Sequence, residues 1–146
     1  QSFSQLARAA NRLEDKQYNI FVSHSWQHDD HYKRIVEFLN EVPALNWQNH
    51  SVPSTDPLSV NSDSALRSEL QNQMKTASVV IVSSGMYGAH SDWIPEELEL
   101  ADELGKPVIA VIPDGQSKVS KKIQQVADTQ VGWRKASVIN ALANHA

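Results

Sequence analysis

The residues with the clearest capacity for chemistry lie in Ser91-Asp92-Trp93-Ile94-Pro95-Glu96-Glu97-Leu98-Glu99. Four acidic side chains crowd the start of an expected helix there. The positive end of the helix dipole favours them, and that bias alone accounts for most of the pattern. Trp93 and Glu97, however, are four residues apart and therefore share a helix face. An indole beside a carboxylate suits a flat cationic ring and a positive charge that develops during reaction. Two alternatives stay open on this segment. Trp93 could equally pack the helix start, and Glu96 is the rival carboxylate.

A second group follows the first expected strand: His24, Ser25, Trp26, His28 and His31. Three histidines with Asp29 or Asp30 could in principle hold a metal. Their spacing matches no known ligand frame, so a polar, solvated loop is the better reading. Trp26 in a polar loop favours a contact role, because an exposed indole is costly without a partner. The chain has no cysteine, which excludes disulfides, thiolate metal sites and a cysteine nucleophile. It has neither G-x-G-x-x-G nor a P-loop, and no G-x-S-x-G elbow. No cofactor is implied.

These residues need elements to hold them. Leu6, Ala9, Ala10 and Leu13 predict a weak amphipathic helix over Ser4 to Glu14. Tyr18 to Ser23 is β-branched and aromatic enough for a strand. Tyr32, Ile35, Val36, Phe38 and Leu39 form a helical stripe that stops before Pro43. A short strand is expected around Leu45 to Gln48. The long polar stretch His50 to Asp63 follows, a length usually reserved for functional loops. Leu66, Leu70 and Met74 mark one apolar seam of a helix. Ser78 to Ser83 and Val108 to Ile112 are apolar on both faces, as central parallel strands must be. Between them lies a helix, Trp93 to Leu104, with Leu98, Ala101 and Leu104 facing inward and Gly105 as its C-terminal stop. Lys118 to Ala127 is an expected helix, Thr129 to Trp133 a strand, and Lys135 to Asn144 the last helix.

The β-α alternation predicts an α/β fold with a five-stranded parallel sheet and helices on both faces. Its ligand crevice belongs at the carboxyl ends of the strands. The weight therefore falls on His24 to Trp26, on His50 to Asp63, and on Ser83 to Trp93. The 146 residues suffice for one domain with a real core. A net charge of −4 argues against a nucleic-acid partner, which would need clustered cations. The Lys118 to Lys122 run reads as one solvated helix face. Apolar runs are too short to span a membrane. The polar, mixed-charge opening shows no leader pattern, so a cytoplasmic location is expected.

Tyr18-Asn19-Ile20-Phe21-Val22-Ser23-His24-Ser25 resembles the opening strand of Toll/interleukin-1 receptor (TIR) domains. Ser91-x-Trp93-x-x-x-Glu97-Leu98 resembles their second signature, again followed by a buried strand, Pro107 to Ile112. The likeness runs from about Tyr18 to Leu142, and it is closer to bacterial TIR proteins such as those of Thoeris antiphage defence than to receptor TIR domains. It implies a flavodoxin-like three-layer sandwich over residues 17–146, with residues 1–16 as an N-terminal helical extension.

The resemblance also implies a function, cleavage of NAD at its nicotinamide–ribose bond. It assigns Glu97 as the catalytic carboxylate, and His24, Ser25 and Trp26 as residues lining the nucleotide pocket, with Ser84 and Trp93 beside them. NAD is then substrate, not cofactor, and the product is ADP-ribose or a cyclic isomer. An effector protein responding to that product is an implied partner, and so is a second copy of the chain, meeting it through the His50 to Asp63 loop. One departure stands out. Some family enzymes carry basic residues after the first strand, whereas this chain has His24-Ser25-Trp26. The competing expectation is a TIR module without catalysis, acting by homotypic assembly. A receiver-type domain fits poorly, because no acidic pair follows the first strand and Ser83-Ser84 ends the central one.

Overall fold

A computed structural model describes residues 3–23, 29–50, 63–84, 96–114, 119 and 121–146. Eleven elements run in the order α1 (Phe3–Ala10), β1 (Gln17–Val22), α2 (Asp29–Asn40), β2 (Asn46–Asn49), α3 (Asp63–Lys75), β3 (Val79–Ser83), α4 (Glu96–Glu103), β4 (Val108–Ile112), α5 (Lys121–Val126), β5 (Thr129–Gly132) and α6 (Lys135–His145). The strands form one sheet in the order β2-β1-β3-β4-β5, and every pairing is parallel. Each strand-to-strand link therefore needs a crossover, and a helix supplies it.

Alternation along the strands divides the core in two. Ile20, Val22, Val79, Ile81, Ile109 and Val111 point to one face, where Ile35 and Leu39 of α2 and Val138, Ile139 and Leu142 of α6 meet them. Phe21, Val80, Val82, Val108 and Ala110 point to the other, against Leu70 and Met74 of α3, Leu98, Leu100 and Ala101 of α4, and Ile123 of α5. This is the flavodoxin-like three-layer sandwich. Burial also explains composition. β3 is buried at every position and holds the middle of the sheet. β2, with its Asn46-Trp47-Gln48-Asn49, lies on an edge and shows polar groups to water.

Local chemistry marks several ends. Gly105 adopts φ +67, its N–H donates to Asp102 O, and Lys106 N–H donates to Ala101 O. That is the Schellman stop expected of a glycine just past a helix. Nothing lies near a Cβ built on Gly105. Gly105→Ala is therefore a test of backbone conformation alone. It should lower stability by about 1 kcal/mol, the cost of the left-handed region for an L-residue, in a urea titration. At the start of β4, Asp128 Oδ2 accepts from Val108 N–H at 2.8 Å, and Asp128 N–H donates to Val108 O at 2.8 Å.

Strand ends fall within a residue of the sequence reading, and two helix ends differ by more. The first helix stops at Ala10, and Arg12 and Leu13 donate to carbonyls three residues back, the tight geometry of a fraying terminus. α5 begins at Lys121 rather than Lys118, and Val119 lies outside it, its carbonyl accepting from Gln124 Nε2. α1 is not a loose arm. Ala9 is buried in the core cluster of α2 and α6, and Leu6, Ala10 and Leu13 pack against it.

Candidate functional site

The strand order reverses between β1 and β3, whose chain directions agree and whose connections leave on opposite faces. The carboxyl ends of such a pair open a crevice, because the loops that follow diverge to either side. The polar chemistry of the core gathers there. Among the described residues the buried polar side chains are Ser23, Ser83 and Ser84. All three sit just at or past the ends of β1 and β3. Burying a hydroxyl is unfavourable unless it is satisfied, so these three stand out within the apolar core and each calls for a partner.

Ser83 Oγ is 2.9 Å from His31 Nδ1. His31 lies in the first turns of α2 and is partly buried, with its ring edge-on to Trp133, centroids 5.5 Å apart. The imidazole thus crosses from the helix after β1 to the end of β3, and β5's trailing Trp133 holds its ring. Ser84 is 1% exposed, and its Oγ meets no hydrogen-bond partner among the described residues. His50, one residue past β2, donates its backbone N–H to Ile20 O and places Nδ1 2.7 Å from Thr76 Oγ1.

α4 follows β3, so its opening turn returns to this same end of the sheet. Glu97 is the second residue of that helix and is half-buried. At about 3.6 residues per turn, it shares a side with Leu100 and Ala101, three and four positions on, both buried. Asp102 and Glu103 lie away from that side and are exposed. Glu97 therefore stands on the inward side of α4 at its strand-end rim. Hydrophobic spacing in Leu98, Leu100 and Ala101 is what turns it there.

Of the residues singled out from the sequence, Glu97 and Ser84 are both found at this rim. His24, Ser25, Trp26, His28 and Trp93 lie outside the described residues, as does the side chain of Glu96. His50 is described, and 51–62 of the loop after it lie outside. No group of three or more His, Asp or Glu side chains poised for a metal occurs among the described residues. Of the three histidines weighed together, His31 turns to Ser83 instead. The His31–Ser83 pair was not foreseen as part of the site. Its signal was present, since Ser83 ends an otherwise wholly apolar strand and His31 falls in the first turns of α2, the helix after β1. Nothing in the sequence says that these two meet. Among the described residues no helix is long and apolar enough to cross a membrane.

A family model described as "Thoeris protein ThsB, TIR-like domain" matches residues 21–118. That span runs from β1 through β4 and contains both the strand-end serines and Glu97. No curated protein sequence matches. Among solved structures, this chain is similar to the Clostridium botulinum CMP N-glycosidase BcmB, at 15% identity and TM-score 0.49, covering 87% of this chain and 99% of that one. A β-glucosidase from Listeria innocua in complex with isofagomine superposes at 14% identity and TM-score 0.47. There 96% of this chain is covered but only 24% of that one.

Proposed function

Since the chain belongs to the TIR-like domain family of Thoeris protein ThsB, we propose that it breaks the nicotinamide–ribose bond of NAD as its part in bacterial antiphage defence. The observation that carries this reading is the strand-end rim. There Glu97, half-buried, opens α4 at the same sheet end where three buried serines close β1 and β3.

The chemistry asks little of the protein beyond electrostatics. As the C1′–N bond breaks, its electron pair goes to the pyridinium nitrogen, and nicotinamide leaves as a neutral ring. It needs no general acid, unlike an ordinary sugar leaving group. The ribose carbon becomes oxocarbenium-like, and a carboxylate near the ribose hydroxyls stabilises that charge where it develops. Water then attacks C1′ and loses a proton, giving ADP-ribose. If a nucleophile of the same molecule attacks instead, the product is a cyclic ADP-ribose isomer. Either product is the signal, and an effector protein reads it. His24, Ser25, Trp26, Ser84 and Trp93 line the substrate pocket in this reading. The segment from His50 to Asp63 supports self-association, and the domain acts in the cytoplasm.

The test is nicotinamide release from NAD by the purified protein at high concentration, with products resolved by mass. Release establishes the activity, and the product mass separates hydrolysis from cyclisation. No release at any concentration, with crowding agents present, would sink the proposal and turn attention to an assembly module without catalysis.

A further inference from the structure

A second concave site lies on the outer face, where α1 packs on α6. A recess of about 430 Å³ opens there, lined by Gln5, Arg8, Ala9, Arg12, Arg134, Ala136, Ser137 and Asn140. Three of the chain's five arginines line it, and no acidic residue does. This is unexpected in a chain of net charge −4, where 17 acidic side chains were available to neutralise them. Among the described residues no carboxylate lies within ion-pair distance of any of the three guanidiniums.

The partners these arginines do have are neutral. Arg12 donates through Nη1 to Asn140 Oδ1 at 2.8 Å and through Nη2 to Asn144 Oδ1. Arg8 Nε donates to Ser4 O at 3.3 Å. Such bonds orient a guanidinium without cancelling its charge, and each guanidinium has five N–H groups to offer. Ala9 and Ala136 are buried beneath the cations. Their small side chains leave a pit rather than a ridge, which suits a compact anion better than an extended peptide. The volume falls in the range of small-molecule sites. Every residue lining the recess lies outside the 21–118 span of the family match.

We infer that this recess binds a phosphate-bearing small molecule, with a diphosphate group held between Arg8, Arg12 and Arg134. Guanidinium forks match phosphate oxygens two at a time, which is why arginine rather than lysine serves such sites. The site shares no residue with the strand-end rim and does not rest on the reading of NAD cleavage. A bound diphosphate would tie α1 to the opening of α6.

Titration calorimetry of the full chain with sodium pyrophosphate at low ionic strength tests this directly, since salt screens such contacts. Wild type should show one saturable site. The double variant Arg8→Ala, Arg134→Ala should bind about tenfold more weakly or worse, and Glu97→Gln should bind as wild type does. Both replaced arginines are exposed, so ligand-free melting curves of the double variant should match wild type. If they do not, Arg134→Lys, which keeps the charge but loses the fork, should bind between the two. Absent saturation by wild type would overturn the inference. So would undiminished binding in the double variant, or binding lost in Glu97→Gln instead.

Discussion

Glu97→Gln is expected to lower nicotinamide release by about 100- to 1000-fold, the usual loss when one preorganised electrostatic partner of a transition state is removed. The substitution keeps shape and most hydrogen bonding, and deletes only charge. Its structural cost is small, because Glu97 stands in the first turn of α4, where loss of a carboxylate forfeits about 0.3–1 kcal/mol of interaction with the helix dipole. Activity and stability thus separate cleanly. Turnover should fall by that factor while the melting temperature moves by only a few degrees. Glu96→Gln, made beside it, addresses the neighbouring carboxylate. Undiminished release by Glu97→Gln would reject the assignment, and loss confined to Glu96→Gln would move the role one residue earlier.

The second large effect is on stability. Ile81→Ala should destabilise the fold by about 3–4 kcal/mol, within the range for truncating a buried isoleucine. Ile81 is 0% exposed in β3, paired with Val22 of β1 and Ile109 of β4. It belongs to the cluster that includes Ile35, Leu39, Ile139 and Leu142. The rigid strands on both sides leave the cavity little room to close. For a domain of this size the loss corresponds to a melting temperature lower by about 10 °C. Gln48→Ala, on the exposed edge strand, should change stability by less than about 0.5 kcal/mol. A comparable, small effect at Ile81 would mean that the middle of the sheet is looser than its burial implies.

Several features are legible in the sequence. Val79 to Ser83 and Val108 to Ile112 have no polar face, and only a strand covered on both sides tolerates that. The helices between strands then required parallel pairing and placed the crevice at the strand ends. Gly105 announced a helix stop because a positive φ is unstrained only for glycine. Helix ends are less legible. Leu13 is apolar and packs on the core whether or not the helix reaches it, so its hydrophobicity could not report where α1 stops.

The sequence by itself determined the order of elements, the family, and the helix that carries Glu97. Those properties are local, set by side-chain periodicity over a dozen residues or by a short signature. Tertiary structure alone decided that His31 reaches Ser83, 52 positions away, and that Arg8, Arg12 and Arg134 line one recess. It alone decided that the buried polar groups of the described core collect where β1 and β3 end side by side. Contacts between distant segments depend on strand order and on the face each helix takes. Period and propensity carry no information about either.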